Sequence, residues 1–166
     1  MAGESGLGRS SIAELTFRAA VRKDIPDLVA LDHICFPEEL AYDGRVFEDI
    51  LDWRGSWHIV ALHGERVVGF VAAVPYDRFA HFITLDIHPD FRRMGLGNML
   101  MDAAERMIAE DGFKIAVLEV ESDNEAAIAL YKKRGYTIRG MLKGYYANGK
   151  DAYVMSKVLS DYGDGL

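Results

Sequence analysis

A chain of 166 residues, 50% hydrophobic and 27% charged, has the size and composition of one globular domain with a substantial core. Its net charge of −7 argues against a nucleic-acid surface, which needs a basic field, and leans toward cationic partners such as amines. The single cysteine, Cys35, cannot form an internal disulfide, no apolar run approaches membrane-spanning length, and the first residues lack a signal-peptide pattern, so the expected setting is the cytoplasm without membrane attachment.

Residues 1–12 are Gly/Ser-rich and without period, and an extension lacking fixed structure is expected there. A single domain over 13–160 and a loose tail over 161–166 follow. Leu15-Thr16-Phe17-Arg18 reads as a short strand. Asp24 is placed to cap a helix with Ile25, Leu28, Val29 and Leu31 as its apolar stripe and Pro26 in its first turn. That helix stops near Cys35-Phe36, before Pro37. The loop from Phe36 to Tyr42 mixes acidic and aromatic residues, as either a solvated connection or a binding-site wall. A second helix covers roughly 45–53. Trp57 to Leu62 and Arg66 to Val74 form a hairpin turned at His63-Gly64-Glu65. Phe82 to Ile87 alternates, with Ile83, Leu85 and Ile87 on one face. Leu96, Met99, Leu100, Ala103, Ala104, Met107 and Ile108 make the stripe of a helix that ends at Asp111-Gly112. Ile115 to Glu121 is a strand, and Asp123-Asn124 caps a helix running to Arg134. Tyr136 to Leu142 and Ala152 to Val158 form a last hairpin, turned at Asn148-Gly149. The order β-α-α-β-β-β-α-β-α-β-β is that of a mixed-sheet α/β or α+β domain.

Between the alternating strand and its helix lies His88-Pro89-Asp90-Phe91-Arg92-Arg93-Met94-Gly95-Leu96-Gly97-Asn98. A helix start carries amides without intrahelical partners, and its dipole is positive there. Glycines let an anion approach that backbone. The stretch reads either as a pyrophosphate cradle or as an ordinary strand–helix turn. It lacks the Lys-Ser/Thr of a Walker loop and the full glycine set of a dinucleotide fold.

Strand parity places Ile115, Val117, Glu119 and Glu121 on one face, apolar at first and acidic at the C-terminal end, where sheets tend to bind ligands. Glu121 fits a solvated or ion-paired role. Glu119 is equally a general base or a paired surface acid. Asn124 and Tyr131 are seven residues apart and share a helix face, ~10 Å apart along the axis. Asn124 can cap the helix, contact an extended ligand, or both. Tyr131 is either a core aromatic or an acid for a leaving group. His33, His58, His63, His81 and His88 show no metal-ligand spacing, and no metal is expected.

Arg92-x-x-Gly95-x-Gly97 matches the acetyl-CoA pyrophosphate loop of the GNAT N-acetyltransferases. Leu118-Glu119-Val120-x-x-x-Asn124-x-x-Ala127-x-x-Leu130-Tyr131-x-x-x-Gly135-Tyr136 resembles their second signature block. Tyr145-Tyr146-Ala147-Asn148-Gly149-Lys150-Asp151-Ala152-Tyr153-x-Met155 is similar to a hairpin of the branch that acetylates protein N-terminal α-amines, which includes the ribosomal-protein-alanine acetyltransferases. The likeness spans about residues 15–159. It implies a central mixed, mostly antiparallel seven-stranded sheet flanked by about four helices. It implies acetyl-CoA as cosubstrate, its phosphates on Arg92, Arg93, Met94, Gly95, Leu96, Gly97 and Asn98, its pantetheine arm along Leu85, Asp86 and Ile87, with Asn124 and Tyr131 beside it. Glu119 is the implied base and Tyr131 the implied acid in a direct transfer without an acyl-enzyme. Phe36, Pro37, Glu39, Tyr42, Tyr145 and Tyr146 are the implied peptide groove. The implied partners are protein or peptide N-termini, with the ribosome or an auxiliary subunit as further candidates, and neither nucleic acid nor membrane. The ribosomal-alanine enzymes usually carry Arg at the position of Glu121, so the preferred first residue stays open. Alternatives are acetylation of a small amine or a lysine side chain and, in another class, a non-catalytic CoA-binding module.

Overall fold

The computed structural model describes residues 12–159. The expectations for residues 1–11 and 160–166 lie outside the described residues. Seven strands, β1 (Leu15–Arg18), β2 (Trp57–His63), β3 (Arg66–Tyr76), β4 (Phe79–Ile87), β5 (Ile115–Glu121), β6 (Thr137–Leu142) and β7 (Ala152–Val158), form one sheet in the order β1-β2-β3-β4-β5-β7-β6. Only β4 and β5 run parallel; the other pairings are antiparallel.

Four α-helices, α1 (Ile25–Cys35), α2 (Gly44–Asp52), α3 (Leu96–Glu110) and α4 (Glu125–Lys133), cover the sheet. Strand parity divides the core into two layers. Val60, Leu62, Phe70 and Ala72 pack with Leu28, Leu31, Phe47 and Ile50 of α1 and α2. Ile59, Ala61, Val68, Val71, Leu118 and Val120 pack with Leu96, Leu100, Met101, Ala104 and Ile108 of α3, and with Ala127, Ile128 and Tyr131 of α4. Gly69 lets α3 sit close to β3. A Cβ there would stand 3.1 Å from Leu100 Cδ1, 3.2 Å from Leu96 Cδ2 and 3.3 Å from Ala61 Cβ.

Three local features differ from the sequence expectation. β3 and β4 are longer and meet in a turn at Asp77-Arg78, with Asp77 at φ 53°. Pro75 and the lack of a turn glycine hid that hairpin. Asp24 does not cap α1 with its side chain. Its carboxylate accepts from Arg18 (2.7 and 2.9 Å) and from Val21 N–H (2.8 Å), and the Arg18 guanidinium holds it below the usual carboxylate range. Tyr136 is a core residue ahead of β6 rather than its first position. Asp43 and Asn124 do cap, accepting from Val46 N–H (3.1 Å) and Ala127 N–H (3.2 Å).

A buried ionic knot joins α3 to the C-terminal half of the domain. Glu105 of α3 is fully buried. It accepts from Arg134 (2.9 Å), Lys157 (2.9 Å) and the Tyr136 hydroxyl (2.8 Å). Arg134 also holds Asp102 (2.7 Å) and Asn98 O (3.2 Å). Removing one partner of such a cluster leaves buried charge uncompensated. Glu105→Ala should destabilise the fold by about 3–5 kcal/mol, measured by urea unfolding.

Candidate active site

β4 and β5 pair only at Ala80↔Ala116 and His81↔Val117. Beyond those two positions they part, and a cavity of about 480 Å³ opens between them. Its walls come from both sides of the sheet. Met101, Leu118, Val120, Ala127 and Tyr131 belong to the α3/α4 layer. Asp32, Phe36, Glu39, Tyr42, Ile83, Tyr145 and Tyr146 line it together with Glu119 and Glu121, which take the parity opposite to Leu118 and Val120. The cavity therefore passes through the sheet. One partner can enter from each face.

The parting leaves one edge of β4 unpaired. His88 N–H bonds to Val68 O at 2.8 Å. By the alternation of an antiparallel ladder, Asp86 then turns its backbone groups to β3, while Leu85 and Ile87 turn theirs to the gap. Side-chain burial along β4 reverses the simple pattern. The irregularity of the β3–β4 register between Ala72 and Ala73 leaves Ile83 without a partner and turns it to the α1/α2 layer, so Ile83 does not share a face with Leu85 and Ile87, which pack on the α3 layer. All three are half-buried, and Thr84 and Asp86 are buried against the α1 side. A central strand is covered on both faces, so polarity does not mark its solvent side. Leu85 is half-exposed because it borders the open cavity.

At the far end of this edge the chain forms an amide-rich bend. Arg93 (φ 61°) and Gly95 (φ 84°) are both left-handed, which curls the backbone into a concave nest. Met99 N–H bonds back to Gly95 O at 3.0 Å. The amides of Leu96, Gly97 and Asn98 come before it, in the first turn where intrahelical partners are lacking. Arg92 Nε fastens the bend to β4 through Ile87 O (3.0 Å). Asn98 Oδ1 accepts from Arg134 at 3.1 Å. Gly97 has room for a methyl group: its Cβ would lie 3.7 Å from Leu130 and 3.9 Å from Leu85 and Ile87. The nest and the open edge are continuous, and they fit a diphosphate followed by an extended amide-bearing arm.

At the fork itself, His81 Nε2 and Glu119 Oε2 are 2.6 Å apart. Glu119 also faces the tyrosines of the α1 side, since its charge helps push Tyr42, Tyr145 and Tyr146 above the usual phenol range after burial has begun the shift. Burial, reinforced by Asp32, pushes Tyr42 up to about 12. Across the gap, burial and then Asp86 push Tyr131 up to about 12. Tyr131 is thus a retained proton donor. Glu121 pairs with Lys150 at 3.4 Å, the ion-paired role read for it. Asn124 combines its capping bond with a place on the cavity wall.

The structure brings Phe36, Glu39, Tyr42, Leu85, Glu119, Asn124, Tyr131, Tyr145 and Tyr146 to one cavity. Pro37 is exposed and outside its wall, and Asp86 sends its side chain to α1 rather than to the gap. Two polar residues were not singled out in sequence, His81 and Asp32. His81 was considered only as a metal ligand, and its partner is set by strand register. Asp32 stands four residues after Leu28, on the apolar stripe of α1, and an acid on a buried stripe is a readable signal. Among the described residues, no three His, Cys, Asp or Glu side chains gather as a metal site.

Comparison with known proteins assigns this arrangement. The model of the Acetyltransferase (GNAT) family matches residues 24–136, and the chain belongs to that family. It is 30% identical over 159 residues to an N-alpha-acetyltransferase of Saccharolobus solfataricus, covering 88% of this chain and 94% of the relative. Ard1 from Thermoplasma volcanium matches with a TM-score of 0.82 at 32% identity, covering 87% of this chain and 97% of that one. Arabidopsis thaliana Naa50, in complex with the bisubstrate analogue CoA-Ac-MVNAL, matches with a TM-score of 0.77 at 25% identity over 87% and 98% of the two chains.

The cradle geometry separates its two glycines. Gly95→Ala forces a left-handed alanine, a strain of about 1–2 kcal/mol, and should weaken acetyl-CoA binding about tenfold in calorimetry. Gly97→Ala should fold normally with a milder loss. Gly97→Leu, which fills the wall beside Leu85, should abolish binding.

Proposed function

We propose that this enzyme transfers the acetyl group of acetyl-CoA directly to the N-terminal α-amine of peptides and proteins. The observation that carries the reading is the His81–Glu119 pair at the fork of a cavity open to both faces, with Tyr42, Tyr145 and Tyr146 around one mouth and the amide nest beyond the other. Direct attack needs both reactants in one site, and a passage through the sheet supplies that.

Acetyl-CoA would supply an activated thioester. The backbone nest of Arg92 to Asn98 holds its phosphates, and the gap-facing groups of Leu85 with the N–H of Ile87 align its arm as an added strand would. The side-chain amide of Asn124 lies along the same path. On the acceptor side, Phe36, Glu39, Tyr42, Tyr145 and Tyr146 form the peptide wall, with Pro37 shaping the loop. Tyr145 and Tyr146 meet edge to face, with ring centroids 5.0 Å apart, a stiff lid on the backbone of a peptide.

Glu119 takes a proton from the substrate ammonium, directly or through water. The α-amine pKa of ~7.7–8.0 makes this a modest task. His81 holds Glu119 in place and, itself partly exposed, gives the proton a way to solvent. A gap-facing amide of β4 polarises the thioester carbonyl. Tyr131 then donates to the departing sulfur. Cys35 is not a nucleophile in this scheme. Burial pushes its thiol up to about 11, and it donates to Ile87 O at 3.3 Å.

The natural acceptors under this reading are N-termini emerging from the ribosome, with an auxiliary subunit as a further partner, in the cytoplasm. Among the described residues no helix is long and apolar enough to cross a membrane.

Thiol release from acetyl-CoA should be followed with peptides beginning Ala, Ser, Met-Leu and Met-Glu, with spermidine as control. Turnover of at least one peptide is expected, and turnover of spermidine alone would overturn the reading. Glu119→Gln and Tyr131→Phe should each lower kcat by about 10²-fold or more while acetyl-CoA affinity holds, the size of lost acid–base assistance. The wild-type rate should climb with pH as the amine loses its proton. Because Tyr131 keeps its proton until about pH 12, no descending limb from its ionisation should appear near neutrality.

A further inference from the structure

Two aspartates lie buried on the acceptor side, and the mechanism above uses neither carboxyl group. Asp32 of α1 and Asp86 of β4 are both fully inaccessible. Each has one oxygen satisfied. Asp32 Oδ2 accepts from Tyr42 N–H at 2.6 Å, and Asp86 Oδ1 accepts from the Thr84 hydroxyl at 2.5 Å. The other two oxygens, Asp32 Oδ1 and Asp86 Oδ2, are buried and have no donor among the described residues. The two carboxyl groups are within hydrogen-bonding reach of each other. Adjacent buried carboxylates cannot both stay ionised. One proton between them fills both vacant acceptor positions at once.

We propose that Asp32 and Asp86 share a single proton, and that this proton clamps the Phe36–Tyr42 loop to β4, making the pair a positioning device for the acceptor. The acceptor role of the loop rests on the function proposed above; the shared proton does not. Asp32 binds the backbone of Tyr42, so whatever orients Asp32 orients the loop's last aromatic wall. The Tyr42 ring is seated edge-on against Phe47 of α2, with centroids 6.1 Å apart. On the other side, Thr84 fixes Asp86 to the strand whose gap-facing edge serves the cofactor. The clamp thus couples the two reactant faces at one buried contact.

The surroundings favour the shared proton. Burial first, then Asp32, hold the Asp86 carboxyl well above the usual carboxylate range, against the opposing Thr84 bond. The titratable groups that sense the pair are Cys35 of α1, Tyr42 of the loop and Tyr131 of α4. Glu119 of β5 acts on Tyr42, and Arg92 acts on Cys35. None of the interactions that set Asp86 comes from a cation. The folded chain therefore keeps a proton that the unfolded chain releases in the ordinary carboxylate range. Stability must fall as pH rises from that range toward the raised pKa of the pair.

The test compares the wild type with Asp32→Asn and Asp32→Ala. In a carbon-13 titration of the aspartate carboxyls, one wild-type resonance should titrate well above the ordinary range. Urea unfolding should show wild-type stability declining across the same window, with a flatter profile for Asp32→Asn. Asparagine can accept from Tyr42 N–H and donate to Asp86, without the second ionisable group. With a peptide acceptor, Asp32→Ala should raise the peptide KM about tenfold, the worth of one lost charge-assisted bond, with the acetyl-CoA KM little changed. Asp32→Asn should restore most of that loss. Ordinary titration of every aspartate, or an equal stability slope in Asp32→Asn, overturns the shared proton. An unchanged peptide KM in Asp32→Ala overturns the clamp. If the wild type turned over no peptide, the acceptor reading would fail, and the carboxyl titration would still decide the shared proton. That titration uses no variant, so it also stands if Asp32→Ala does not fold.

Discussion

The site depends on one constraint, the early parting of the parallel strand pair, the only one among the described residues. β4 and β5 stay together for two residues and then diverge. A parallel ladder broken in mid-sheet leaves unpaired backbone at the centre of the molecule, where polar groups are costly unless satisfied. Among the described residues no strand fills the gap. A ligand with amide groups can. What would be a defect in a purely structural sheet is here a slot shaped for an extended arm.

The parting also decides which residues meet. His81 is the last paired residue of β4 on that side, and Glu119 stands two places beyond its partner Val117 on β5. They come together because the strands have only begun to separate. Further out the gap is wide enough for Tyr131 to face the cavity from one layer and Tyr42, Tyr145 and Tyr146 from the other. Gly69, by letting α3 lie close on β3, fixes the height at which the amide nest of Arg93 to Asn98 meets the end of the β4 edge. Glu119, Tyr131, the amide nest and the tyrosines of the α1 side are thus placed by strand divergence and one close helix contact.

Much of this was readable from residues alone, for reasons that differ along the chain. Local signals were enough where the physics is local. The cap at Asn124, the turn at Gly64 and the glycines after Arg92 are set by neighbours in sequence. The seven strands followed from period, and the shared faces of Glu119 with Glu121 and of Asn124 with Tyr131 from parity and helix turn. What stayed hidden depends on register between distant segments. No spacing rule brings His81 to Glu119, 38 residues apart. Asp86 sits in an alternating strand with no local signal of burial, and only the packing of α1 over that face shows it to be buried. Asp24 has a cap's position but is taken by Arg18, a partner on another element.

Burial of Tyr131 is what bears on its proposed role as the acid. A phenol pushed up to about 12 is a poor donor to an ordinary thiolate in water, whose conjugate thiol has a pKa near ~8.5. A thiolate formed inside the same walls is not an ordinary one. The Cys35 thiol, on the α1 side of the sheet and raised to about 11 mainly by burial, shows how desolvation inside this domain acts on sulfur. In the proposed transfer, desolvation that weakens Tyr131 as an acid also strengthens the departing sulfur as a base, so the two shift in the same direction. That parallel shift is lost if water enters, and the Tyr145–Tyr146 lid and the Tyr42 loop are the elements positioned to keep it out. Under the proposed function, the residues of the peptide wall would therefore also preserve the acid–thiolate balance on which release of the cofactor depends.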